Sequence, residues 1–383
     1  MINYIINILP GNININHIKM EVFMPARLLP PVGIDQFTHL MSRTCSKTHF
    51  LESDYNKQKF VEIMRKSEEF SGCQVLAYVV MPNHFHILLH TPEKVEITDR
   101  ELFRRIRILY GSSFYHCLRH DYNSYKKKNE NEFKNWWIPI RKKYTDRMYS
   151  TPAFMKTVKQ RYACWFNTKY QRDGVFWGQR YKSMLIQNNP GALFSMSTYI
   201  ELNPMRAELA EDSKDYLYCS YGAAYAGSRK AKMAVVDLVN QFNSSDFPSS
   251  KSLTRSEFSK AWLDARKWYR SYIIDVGEEV TDHDGNIVKN GFTHDQVEEE
   301  IHKKGRMSFV DSLHSRVRYM SYGIVYGTKE FCTDFMNKFP DKFSKRVRDN
   351  GIKMRKVGFN GLYTGRDLQV NNILPPIEPK IRE

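Results

Sequence analysis

Val75-Leu76-Ala77-Tyr78-Val79-Val80-Met81-Pro82-Asn83-His84-Phe85-His86-Ile87-Leu88-Leu89 decides how this chain of 383 residues is read. Both apolar runs are rich in β-branched and large side chains, and Pro-Asn between them is turn chemistry. The stretch therefore predicts strand, tight turn, strand. Successive side chains on a strand point to opposite faces, so His84 and His86 share one face and Phe85 points away. Two imidazoles at that spacing can aim at one metal ion without distorting the backbone. They can equally be polar residues on the open face of a sheet.

A second stretch, Tyr199-Ile200-Glu201-Leu202-Asn203-Pro204-Met205-Arg206-Ala207, supplies other parts of a reaction centre. It ends a helix predicted to start at Asn189-Pro190, where Asn caps and Pro is tolerated in the first turn. Leu193, Met196 and Ile200 fall at helical spacing and should pack on the sheet. Tyr199 and Asn203 are four apart and lie on one helix face. Pro204 disfavours helix at Asn203, which places the pair at the helix end. A phenol and an amide are thereby set side by side; packing and helix capping are the alternative roles.

Three blocks, YVVMPNHFHILLHTPE (78–93), FWGQRYKSMLI (176–186) and YIELNPMRAELAED with DYLYCSYGAAY (199–225), resemble the REP-associated tyrosine transposases. These are single-tyrosine HUH endonucleases, where U is a bulky hydrophobic residue, here Phe85. The resemblance spans roughly residues 24 to 228, with the blocks in the family's order. It implies His84 and His86 as metal ligands, Asn203 as the third ligand, and Tyr199 as the nucleophile. It implies Mg²⁺ or Mn²⁺ as cofactor, although imidazoles by themselves suit Mn²⁺ or Zn²⁺ better. Single-stranded or hairpin DNA is the implied substrate, cut through a 5′-phosphotyrosine link with a free 3′-hydroxyl. Arg180, Tyr181 and Lys182 lie in a block that flanks the family's active site. With Arg43 at a strand end and Arg206, they are candidate DNA contacts. The family's ferredoxin-like, RRM-like sheet is the implied fold.

Composition agrees with a polyanionic partner. The net charge is +16, the pI near 9.4 and the aromatic content 14%. Rings beside cations suit unpaired bases, which stack while Lys and Arg follow the phosphates. No apolar run reaches the length of a membrane span. Cys45, Cys73, Cys117, Cys164, Cys219 and Cys332 are scattered without a Cys-X-X-Cys pair. That argues against a zinc knuckle or a disulfide framework and suits a reducing cytoplasm, in the nucleoid for a DNA enzyme.

In chain order, residues 1–23 are Ile/Asn-rich and are expected to be a disordered extension. Residues 24–228 read as strand, helix, two strands, a helical basic insert at about 99–150, strand and helix. This is an α+β domain: a small antiparallel sheet with helices on one face. Asp99 to about His120 is predicted as one helix, and Trp136-Trp137 as either packing or a surface for bases. Residues 229–250 are expected to be a linker. Residues 251–383 are expected to be a mainly helical, basic accessory region, with Thr328 capping a helix in a helix-turn-helix. Two other readings keep the fold. One is a non-catalytic nucleic-acid-binding or regulatory protein. The other is a hydrolase that activates water, with Tyr199 only stacking.

Overall fold

The Pro82-Asn83 turn joins β2 (Gln74–Met81) to β3 (His84–Thr91), an antiparallel pair. Strand β1 (Gln36–Arg43) pairs antiparallel with β3, and β4 (Lys182–Ile186) pairs antiparallel with β1. The structure, a computed structural model, describes residues 33–243, 250, 252–276, 280–281, 287–289, 323–353 and 362–365. The strand order β2-β3-β1-β4 is the one a ferredoxin-like sheet requires. The α+β class is as expected. The 1–23 extension lies outside the described residues.

Helices cover both faces of the sheet, not one. Leu40, Val75, Phe85, Ile87 and Leu89 face α1 (Asp54–Ser71) and α5 (Thr151–Lys169), meeting Phe60, Met64, Phe154 and Tyr162. Phe37, Val79, Leu88, Met184 and Ile186 face α6 (Pro190–Glu201), meeting Leu193, Met196 and Ile200. The physical reason is in the strands: β2 is apolar almost without alternation, the pattern of a strand buried on both sides. Local signals set the helix ends. Ser53 accepts from Asn56 N at the start of α1, and Asn189 accepts from Ala192 N at the start of α6.

The insert forms α2 (Asp99–Tyr110), α3 (Ser112–Lys126) and α4 (Glu130–Thr145) around a small core of its own. The expected single helix breaks at Gly111, whose φ of 89° is left-handed and open to glycine. Trp137 is buried and donates from Nε1 to Asp99 at 3.0 Å, while Trp136 stacks on Tyr125 at 4.6 Å. Both tryptophans are thus engaged in packing.

The expected linker at 229–250 is helical over most of its length. It forms α9 (Arg229–Asn243), which buries Ala231, Val235, Leu238 and Val239 at helical spacing. Helix α10 (Arg255–Val276) packs on the same core, with Trp268 and Tyr269 4.8 and 5.5 Å from Phe194 of α6. After a separate antiparallel pair, β5 (Val280–Thr281) and β6 (Ile287–Lys289), strand β7 (Val325–Gly327) pairs parallel with β4, which places it beside the site's sheet. Short strands β8 (Ile352–Lys353) and β9 (Tyr363–Gly365) extend the sheet to seven strands. Thr328 does cap a helix, α11 (Lys329–Asn337), but the residues before it are strand β7 and not the turn of a helix-turn-helix. The described part of 251–383 is therefore joined to the main sheet and core.

Candidate active site

His84 and His86 lie on the face of β3 that looks toward α6, with ring centroids 5.2 Å apart. The tight turn before them is pinned at several points. Thr44 N donates to Asn83 O at 3.0 Å, and Leu51 N donates to Pro82 O at 2.8 Å. Asn83 Nδ2 donates to Lys47 O at 3.2 Å, which leaves its Oδ1 to accept from His84 Nδ1 at 2.7 Å. On His86, Nδ1 is 2.9 Å from His39 Nε2. Both rings thus have Nδ1 tied down and turn Nε2 to other uses. Burial, then the Arg43 charge, lowers the His84 pKa to about 4. Burial, with His39, His84, Arg43 and Arg206 adding to it, puts His86 well below its usual value. Both imidazoles are neutral at pH 7, the form that carries a lone pair for a cation.

Tyr199 sits one residue pair from the end of α6 and is 1% exposed. Its ring meets those of His86 and His39 edge-on at 5.8 and 6.0 Å. A short helix, α7 (Asn203–Arg206), follows at once, with Pro204 in its first turn. Asn203 Nδ2 donates to the carbonyls of Tyr199 and Ile200 at 2.8 and 3.2 Å. Capping and ligation are therefore compatible in Asn203: the amide nitrogen caps α6, and Oδ1 remains as an acceptor. Arg206 lies 5.2 Å over the Tyr199 ring and donates from Nη1 to Tyr199 O at 3.0 Å. Its Nε and Nη2 are shielded from solvent with no partner among the described residues. Burial lowers its pKa to about 10, so it stays charged at neutral pH. Unpartnered buried donors are costly and call for an acceptor.

The expected basic contacts divide by strand alternation. Arg43 is directly opposite His84 in the β1–β3 ladder, and Lys182 is opposite Met41 in the β1–β4 ladder. Arg43, Lys47, Arg180 and Lys182 rim a cavity of about 330 Å³ beside the histidines' end of the sheet. Gly178 lines it too; a Cβ there would stand 3.0 Å from Thr44 O, so only glycine lets the two segments approach. Tyr181 differs from expectation. It is 8% exposed within the aromatic core beneath α1 and α5, because it points to the opposite face from Arg180 and Lys182.

Two neighbours escaped the sequence reading. His39 is one; an isolated His in the apolar strand β1 gives no sign until its register with β3 is known. Glu201 is the other. It is 1% exposed, and accepts from Ser220 Oγ at 2.6 Å and from Tyr221 N at 3.0 Å. These bonds tie the end of α6 to the start of α8 (Ser220–Tyr225). Burial, against those bonds, pushes its carboxyl up to about 7. The folded chain thus holds a proton that the unfolded chain, at 4.5, gives up. The associated stability is complete below pH 4.5 and is lost as pH rises through about 7. Glu201→Gln should remove a fall of about 3 kcal/mol over that window. Melting temperatures across the range check this as a difference between the chains: His84 and His86 make stability rise with pH in both, and without Glu201 the variant should rise more steeply than the original chain. Equal slopes would put the pH dependence elsewhere.

Among the described residues, no three His, Cys, Asp or Glu side chains are grouped to hold a metal ion. The histidine pair therefore needs a donor of another kind, and Asn203 Oδ1 at the facing helix end is of the right chemistry. With Nδ1 of His84 donating to Asn83 and Nδ2 of Asn203 engaged, His84 Nε2 and Asn203 Oδ1 are left as neutral lone pairs in fixed groups. That donor set fits a divalent cation.

Residues 34–136 match the family model described as "Transposase IS200 like". The match takes in β1, both histidines and most of the insert, and ends before Tyr199, Asn203 and Arg206. A solved structure described as "Structure of the REP associates tyrosine transposase bound to a REP hairpin" is similar at 14% identity and a TM-score of 0.30. That similarity covers 53% of this chain and 86% of the other. No curated protein matches the chain. Over residues 34–136, which carry the paired histidines, the chain is similar to the IS200-like transposases.

Proposed function

We propose that the chain is a metal-dependent single-stranded DNA endonuclease and strand transferase, a transposase acting on hairpin or REP-like DNA. The observation that carries the reading is the company Tyr199 keeps: the neutral His86 of the histidine pair on one side and the unpartnered Arg206 donors on the other. The DNA class follows the sequence resemblance and the basic rim of Arg43, Arg180 and Lys182.

In the proposed step Tyr199 Oη attacks the scissile phosphorus. The bond from phosphorus to the 3′ oxygen breaks, and that oxygen leaves as a 3′-hydroxyl after taking up a proton. The phosphate stays on Tyr199 as a diester to the 5′ end of the downstream strand. Attack by a 3′-hydroxyl reverses the step and reseals DNA, so no nucleotide cofactor is needed. The phenol must give up its proton to attack, so the step needs a proton acceptor. Mg²⁺ or Mn²⁺, held by His84, His86 and Asn203, would supply Lewis-acid polarisation of the phosphate. Arg206 would take the phosphate oxygens on Nε and Nη2, exchanging the cost of unpaired donors for charge-assisted bonds. Arg206→Gln should accordingly slow cleavage by about 10²–10³-fold, the usual effect of deleting a donor aimed at transition-state charge. Single-turnover rates at saturating DNA check this; an unchanged rate would remove Arg206 from the chemistry.

One observation favours a second reading. Tyr199 is 1% exposed, as suits a DNA-binding protein that keeps the fold without cutting. A denaturing gel with labelled hairpin oligonucleotides, with and without Mn²⁺, separates the two. The proposal expects a metal-dependent covalent adduct and a free 3′-hydroxyl. Cleavage that persists in excess chelator rejects the metal role, and bound but uncut DNA leaves the second reading.

A further inference from the structure

We infer that His39 is a positioning residue: it sets the tautomer of His86 and so determines which ring nitrogen His86 offers to a divalent cation. The inference deepens the proposed function and rests on it for the cation.

His39 is on β1, opposite Leu88 and two pairs along from the Met41–His86 pair, on the same face of the sheet. It is 3% exposed and His86 is 2% exposed, so water does not compete for their polar atoms. Their rings stack at 5.1 Å with planes 8° apart, and His39 Nε2 is 2.9 Å from His86 Nδ1.

One hydrogen occupies that contact between the two ring nitrogens, and there are two ways to place it. If His86 Nδ1 donates, His86 Nε2 carries a lone pair and can bind a cation. If His39 Nε2 donates, His86 keeps its hydrogen on Nε2 and offers nothing there. Only the first arrangement makes His86 match His84, whose Nδ1 must donate because Asn83 Oδ1 can only accept. His39 is then the Nδ1–H tautomer, with Nε2 as acceptor. The same contact engages His39 Nε2, so that nitrogen supports His86 and is not offered to the cation. Metal-binding imidazoles commonly hand their second N–H to such an acceptor, and losing it weakens the metal about 10–100-fold.

The test measures Mn²⁺ binding to the full chain without DNA, from the electron paramagnetic signal of the free ion. His39→Leu should weaken Mn²⁺ about 10–100-fold. His39→Gln, whose carbonyl can still accept from His86 Nδ1, should stay within a few-fold of the original chain. Nitrogen NMR of labelled histidines, without metal, should report His86 as Nδ1–H in the original chain and in the Gln variant, and as a mixture in the Leu variant. His86 found as Nε2–H in the original chain overturns the inference even if the Leu variant fails to fold. So does a Leu variant that binds Mn²⁺ normally, or a Gln variant as weak as Leu. An original chain whose Mn²⁺ binding is absent, or survives His84→Ala, overturns the metal-centre reading itself and this inference with it.

Discussion

Tyr199→Phe reduces the covalent protein–DNA adduct to background, while hairpin affinity stays within about fivefold, the worth of one ordinary hydrogen bond. The substitution removes only Oη. The ring remains to pack edge-on against His86 and His39, at 5.8 and 6.0 Å, and to lie under the Arg206 guanidinium. The side-chain bonds from Asn203 Nδ2 and Arg206 Nη1 to the Tyr199 carbonyl are untouched. The fold should therefore lose no more than about 1 kcal/mol. Chemistry and binding respond separately because only one of them uses the phenol oxygen. A denaturing gel reads the adduct and fluorescence anisotropy reads the affinity. Parallel loss of both would make Tyr199 a structural residue.

The next largest effect is expected at the histidines. His84→Ala and His86→Ala should each lower cleavage by about 10³-fold or more, the scale of several kcal/mol of lost charge stabilisation. Excess chelator should do the same to the original chain. The two variants should differ in stability. His86 is 2% exposed and stacked on His39, so its removal leaves a cavity and takes away the hydrogen-bond partner of His39 Nε2. A cost of roughly 2–3 kcal/mol is expected there. His84 is half-buried at the start of β3, and its loss should barely move the melting temperature. Cleavage rates with added Mn²⁺, beside thermal melts, check both statements. Full activity in His84→Ala would remove the metal centre from the account.

Much of the site could be read in one dimension because its parts follow local rules. The period of two along β3 puts His84 and His86 on one face, and a helical spacing of four across the end of α6 brings Asn203 under Tyr199. Asn189-Pro190 and Thr328 mark helix starts by capping chemistry that needs no tertiary context. Other features depend on partners far along the chain. The parallel pairing of β4 with β7 joins residues about 140 apart, which no local pattern announces. His39 gains meaning only through the β1–β3 register.

Two misreadings had signals that were present but outweighed. The linker reading of 229–250 rests on the polar stretch Asn243–Ser250. It passed over Ala231, Val235, Leu238 and Val239, which line one helix face. Tyr181 was grouped with its basic neighbours by sequence adjacency, whereas strand alternation sends it into the opposite core. Helices on both faces were foreshadowed by the unbroken apolar run Val75–Val80.

The most direct measurement is mass spectrometry of the trapped protein–DNA complex after digestion with nuclease and trypsin. Cleavage after Lys182 and Arg206 releases residues 183–206, whose single tyrosine is Tyr199. The account predicts that this peptide carries a nucleotide joined through its 5′-phosphate to Tyr199. The phosphate on any other residue, or cut DNA with metal present and no modified peptide, would contradict it.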